Sequence, residues 1–148
     1  MKNSILVALN DSLISSIVID HLIRFCPKGD DVKITLLHIF RNPEAQVDLM
    51  GKKFTAEQEP KMIAVLEQAK SRLVENGYSD SQIEIKLVKD PYETVTEGII
   101  DQFRKDEYNV VFIGRKRMSK SEEFVLGDIS IKLVRSLEGT AVVVVKGN

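Results

Sequence analysis

The sequence predicts an α/β fold: a doubly wound, open five-stranded parallel sheet with helices on both faces. Three observations carry this. Short β-rich runs alternate with longer stretches of helical periodicity in the order β-α-β-α-β-α-β-α-β. The first and last runs are continuously apolar, as strands covered on both faces are. No internal repeat or linker interrupts the alternation, so residues 1–148 are expected to form a single domain.

Ile5-Leu6-Val7-Ala8-Leu9 is an apolar run of strand length. Asp11 or Ser12 is placed to cap a helix whose apolar face is Ile14, Ile17, Val18, His21, Leu22 and Phe25, and Pro27 and Gly29 stop it. Val32 to Ile39 reads as the second strand. Arg41 to Lys53 shows little periodicity and reads as a long loop. Thr55 and Gln58 have capping-box spacing, Pro60 argues for a later start, and Met62, Leu66, Ala69 and Leu73 line one face of a helix ended by Asn76-Gly77.

Ile83 to Val88 is the third strand. Asp90-Pro91 forms an N-cap and N1 pair for a helix with Val95, Ile99, Ile100 and Phe103 on its apolar face. Val110 to Ile113 is the fourth strand, ending at Gly114, and a basic polar loop runs from Arg115 to Glu123. The last helix starts near Gly127-Asp128, packs Ile129, Leu133, Val134 and Leu137, and stops at Gly139. Thr140 to Val145 is the fifth strand.

Composition excludes several classes. Twenty-one basic and 22 acidic residues leave a net charge of −1, with no global electrostatic case for nucleic acid or a membrane surface. The longest apolar run, Ala141 to Val145, is far short of the roughly 20 residues that span a bilayer. Cys26 alone excludes an internal disulfide and reads as a small, buried apolar residue. No signal-peptide pattern follows Met1, which makes the cytoplasm the expected compartment.

Common catalytic signatures are missing: no Walker-type phosphate loop, G-x-G-x-x-G, H-E-x-x-H or G-x-S-x-G is present. His21 and His38 lack a second ligand at useful spacing, so both read as hydrogen-bonded histidines and no metal site is expected. A phosphoacceptor receiver would place carboxylates after the first strand, an aspartate after the third and a lysine after the fifth. Asn10-Asp11, Asp90 and Lys146 match this superficially, but the third strand comes too late and no helix follows the fifth.

Ligands of open parallel sheets bind beyond the carboxyl ends of the strands, at the switch in strand order. That singles out Asn10–Ser12, His38–Phe40, Lys89–Pro91 and Gly114–Asp128. In the last stretch a strand ends in glycine and a second glycine opens a helix. This suits close backbone approach to a ligand and anion binding at a helix N-terminus, or a strand exit and helix start that bind nothing.

This stretch resembles the universal stress protein family, whose signature after the fourth strand is G-x2-G-x9-G-[S/T]. Gly114-x2-Arg117-x9-Gly127-Asp128 keeps the spacing with two substitutions, and Glu123-Phe124-Val125-Leu126-Gly127 is similar to the family's E-F-x-L-G run. Ile5 to Ser12 resembles its I-L-V-x-x-D-G-S opening, Leu36-Leu37-His38-Ile39 its L-x-H-V segment, and the terminal valines its last strand.

The resemblance covers the whole chain and implies a fold of the adenine nucleotide alpha hydrolase type. It implies a role in stress response or regulation rather than turnover. No H-x-G-H motif of the adenylyl-transfer relatives follows the first strand. The nucleotide-binding candidates it implies are Asn10, Asp11, Ser12, Ile39, Gly114, Arg115, Arg117, Gly127, Asp128, Ile129 and Ser130. No cofactor is required, and ATP or AMP with Mg²⁺ is the ligand implied if the site is kept.

The departures weaken it. Asn10 replaces an aspartate and carries no charge, and Arg117 replaces a glycine. Asp128 puts a carboxylate where phosphate would sit, a repulsion of roughly 4 kcal/mol at 4 Å and an effective dielectric near 20, close to three decades of affinity. The leading expectation is therefore a regulatory binding protein with a degenerate nucleotide site and an unidentified protein partner. The alternative is an ATP/AMP switch that keeps its nucleotide through the basic loop Arg115–Lys120. Relatives pair through the last strand, which implies a homodimer through Val142, Val143, Val144 and Val145.

Overall fold

The computed structural model describes residues 3–10, 12–40, 49–115 and 129–147. Five parallel strands form one sheet: β1 (Asn3–Ala8), β2 (Val32–Ile39), β3 (Ile83–Val88), β4 (Val110–Arg115) and β5 (Ala141–Lys146), in the order β3-β2-β1-β4-β5. From β1 the chain winds outward through β2 to β3, then returns to lay β4 on the other side of β1 and β5 beyond it. The reversal lies between β1 and β4, where Ile5, Leu6 and Val7 align with Val110, Val111 and Phe112.

The described helices are α1 (Leu13–Phe25), α2 (Leu49–Glu75), α3 (Val95–Asp106) and α4 (Ile129–Ser136). Alternation along each strand divides the core in two. Ile5 and Val7 of β1 with Ile34 and Leu36 of β2 meet Val18 and Leu22 of α1 and Leu66 and Leu73 of α2. Leu6, Leu37, Ile39, Val111 and Ile113 face the other way, onto Ile99 of α3 and Leu133 of α4. Successive side chains of a strand point to opposite faces, so apolar residues at consecutive positions build both layers.

Several sequence expectations need correction. The helix before β3 begins at Leu49, inside the segment expected to be a loop, and carries Pro60 in its interior. Proline removes one helical donor and often kinks a helix, but a helix of 27 residues continues past it. The rest of that segment, 41–48, lies outside the described residues. Asp90-Pro91 does not start α3: Tyr92 N–H bonds to the Asp90 carbonyl in a turn, and Thr94 is the N-cap, its hydroxyl accepting from Glu97 N–H at 3.1 Å.

His21 and Phe25, placed on the buried face of α1, are exposed, and their rings lie 6.0 Å apart on the solvent side. Ile129 and Val134 are likewise exposed, while Leu133 and Leu137 carry the packing of α4. Cys26 is only half-buried. Arg115 belongs to β4 rather than to the loop after it.

Candidate functional site

A cleft of about 140 Å³ opens at the carboxyl ends of β1, β2 and β4, at the reversal of strand order. Its apolar lining includes Ile39 from β2, Val95 and Ile99 from α3, Ile113 from β4 and Ile129 from α4, with Asn10 and His38 as polar members. Of the sequence candidates, Asn10, Ile39, Gly114 and Ile129 meet here. Ser12 lies around the corner, in a groove between α1 and α2 that shares Leu9, Asn10 and Ser15 with the cleft. Ser130 is buried in the first turn of α4, and Arg115 follows Gly114 in β4. Asp11, Arg117, Gly127 and Asp128 lie outside the described residues.

The turn from β1 into α1 is held by Asn10. Its side-chain oxygen Oδ1 accepts from Ser12 N–H at 2.9 Å, from the Ser12 hydroxyl at 2.5 Å and from the Ser15 hydroxyl at 3.0 Å. The Asn10 N–H donates in turn to Ser15 Oγ at 2.9 Å. Ser12 occupies the N-cap position of α1 but does not cap it with its side chain, because that hydroxyl is turned back to Asn10. Ser15, a buried hydroxyl that sequence reasoning missed, is both donor and acceptor in this network; its only signal was its place in the first turn after Asn10.

His38 joins the ends of two strands: its Nδ1–H donates to the Leu9 carbonyl at 2.8 Å, since a carbonyl can only accept. Its ring meets Phe40 edge-on at 4.8 Å. Gly114 has a packing reason to be glycine. A Cβ there would come within 2.7 Å of Ile14 Cγ1 and 3.1 Å of Val18 Cγ2, so α1 approaches β4 more closely than a side chain permits. Gly98 serves α3 in the same way, its missing Cβ lying 2.4 Å from Ile39 Cδ1. Lys89–Pro91 does not reach the cleft; Val95 and Ile99, expected only as core, line it instead.

Among the described residues no cluster of three or more His, Cys, Asp or Glu is arranged to hold a metal ion. No helix among them is long and apolar enough to cross a membrane.

Solved structures share this architecture over almost the full chain. The hypothetical protein MJ0577 superposes with a TM-score of 0.78 at 19% identity, covering 100% of this chain and 98% of that one. A universal stress protein in complex with cAMP gives 0.69 at 15% identity, over 97% and 95% of the two chains. A universal stress protein family protein from Arabidopsis thaliana with AMP bound gives 0.65 at 19% identity, over 99% and 92%. No curated protein matches. The model of the universal stress protein family matches residues 1–146, and the chain belongs to that family.

Proposed function

We propose that this chain is a regulatory binding protein of the stress response, acting in the cytoplasm without turnover, and that the cleft at the β1–β4 reversal is its ligand site. The ligand class is a purine nucleoside monophosphate. The aliphatic lining suits the face of a purine ring, and the relatives crystallised with cAMP and AMP hold ligands of this class. The observation that carries the reading of a degenerate site is Asn10. Its oxygen is taken up by its own turn, so this position offers a ligand neither a charge nor an acceptor. Ser15 supports a role without chemistry: its hydroxyl proton is engaged by Asn10 Oδ1, and among the described residues no base is paired with it.

The alternative, a switch retaining ATP or AMP through Arg115–Lys120, is favoured by the place of Arg115. It continues β4 directly from Gly114, which lines the cleft. Mass spectrometry of nucleotide released from natively purified protein, with calorimetric titration of AMP and ATP with and without Mg²⁺, separates the two. Empty protein with sub-millimolar affinity at best supports the degenerate site. Stoichiometric bound ATP or AMP supports the switch.

The proposed assembly is a homodimer through β5, with an unidentified protein as further partner. β5 is an edge strand, and an open edge presents unpaired backbone groups to another chain. Ala141 N–H bonds to the Asn109 carbonyl and Gly147 N–H to the Arg115 carbonyl, so the odd-numbered amides point inward to β4. The amides of Val142, Val144 and Lys146 therefore face the open edge.

A further inference from the structure

The edge of β5 is small for the dimer proposed to rest on it. Six residues make it about 20 Å long, and a sheet layer is about 10 Å thick, so the edge offers roughly 200 Å². A stable complex hides about 800 Å² on each partner. Strand pairing leaves most of that area to the surfaces beside the strand.

The flanking helices carry apolar surface there. On one face of the sheet Ile14 of α1 lies against Gly114 of β4 and approaches Gly147 just beyond β5, 3.2 Å from where a Cβ would stand. At 3.6 residues per turn Phe25, eleven positions on, shares that flank of α1. The other flank belongs to α2, whose Arg72 holds Ser16 and Asp20. Phe25 is 70% exposed, and Val143 of β5 is only partly buried on this face. On the opposite face Ile129 of α4 meets Val95 and Ile99 of α3 in the cleft. Ile131 and Val134 stand on the flank of α4 turned away from α3, 50% and 60% exposed, and Val142 and Val144 of β5 are only partly buried there.

An edge strand pairs with its own copy about a two-fold axis normal to the sheet. The strands then run antiparallel and each face of the sheet stays on its own side. That operation sets α1 against α1 of the second copy and α4 against α4. We propose that the dimer interface is a seam of three layers, in which Phe25 on one face and Ile131 and Val134 on the other pack against the same residues of a second copy. The inference rests on the reading of β5 as the dimer edge.

The test is sedimentation velocity over a concentration series for the wild type, Phe25→Ser, Val134→Glu and Val134→Lys. All three side chains replaced are exposed, and unchanged melting of the variants at monomeric dilution checks the fold. Each variant is expected to weaken the dimer by about tenfold or more, because a two-fold interface loses every contact twice. Mixing Val134→Glu with Val134→Lys should restore pairing, since α4 then meets a copy of opposite charge. Dimers of all three variants as tight as the wild type overturn the inference and leave pairing through the strand alone. Weakening that the mixture does not relieve overturns the packing of α4 on α4. A wild type that stays monomeric throughout removes the dimer reading and the inference together.

Discussion

Gly114 on β4 and Ile14 on α1 touch where a side chain on the glycine would stand: a Cβ at position 114 would lie 2.7 Å from Ile14 Cγ1. The first glycine of the signature stretch thus lets the first helix settle onto the sheet beside the cleft. Gly114→Ala is expected to destabilise the fold by about 1–3 kcal/mol, the usual cost of forcing atoms into a packed interior. Ile14→Ala removes the two γ carbons in the way, so the double variant should lose less stability than the sum of the two single variants. Urea denaturation of these variants checks this, and Gly114→Ala as stable as the wild type would show that α1 adjusts freely.

Thr35 is buried in β2, and among the described residues its hydroxyl has no hydrogen-bond partner. Its neighbours in register are Leu6 and Glu84. Valine has nearly the same shape without the polar atom, so Thr35→Val should stabilise the protein by about 1 kcal/mol. Thermal or urea unfolding measures it, and a loss of stability would reveal a partner for the hydroxyl.

Tyr78 is buried and its hydroxyl donates to the Cys26 carbonyl at 3.2 Å. Burial, with a smaller contribution from Cys26, pushes its phenol up to about 12. The neutral form is the one favoured in the folded state. The associated stability is complete below the unfolded value near 10 and declines as pH rises from there to about 12. Burial and its bond to Asp101 also raise the Tyr92 phenol, so ultraviolet titration should show more than one late tyrosine. Tyr78→Phe should remove the step near pH 12 and lower stability by about 1 kcal/mol.

Lys86 on β3 and Asp106 at the end of α3 form an ion pair at 2.8 Å. The hydrogen bond from Lys86 lowers the Asp106 carboxyl, and its bond to Asp106 raises the Lys86 ammonium. The lowered carboxyl contributes stability above the ordinary aspartate value, and this is lost as pH falls through its folded value. The raised ammonium contributes fully below the ordinary lysine value, and this is lost as pH rises through its folded value. Lys86→Met should therefore cost stability at neutral pH, by no more than about 1 kcal/mol for so exposed a pair. The difference from the wild type should shrink in denaturation curves taken towards pH 3.

The parity of β5 makes the proposed dimer testable without disturbing the sheet. Val144 directs its amide away from β4, so Val144→Pro removes an edge donor and spares the ladder. Val143→Pro removes a ladder bond and should damage the fold. Analytical ultracentrifugation should find Val144→Pro monomeric and folded. A Val144→Pro dimer, or a wild type monomeric at micromolar concentration, would exclude pairing through this edge.

The alternation of strands and helices and the residues of both cores were legible because strand and helix periods leave separate marks, whereas the order of strands across the sheet was not read from the sequence. Ile5, Leu6 and Val7 supply both layers, and Ile99 and Leu133 fall on the packed faces expected of them. Helix ends were harder. Pro91 looks like a helix start by composition, but Thr94 has the free hydroxyl in reach of an amide, and only geometry decides between them. His21, Phe25 and Val134 have the spacing of buried positions yet face solvent, because spacing fixes a face and not how far the neighbouring layer extends. At the cleft, Asn10 and Ile39 were readable from their places at strand ends. Ser15 was not, since its role depends on a turn that brings its hydroxyl back five residues.

The turn at Asn10 has a further consequence for affinity. A flexible side chain that must be ordered on binding costs a complex roughly 0.5–1.5 kcal/mol. The Asn10 amide is already immobilised by Ser12 and Ser15 in the unliganded fold, so that loss of freedom belongs to folding and not to recognition. In the proposed site this position would present a rigid donor, and a ligand without an acceptor there could not be accommodated by rotating the amide away.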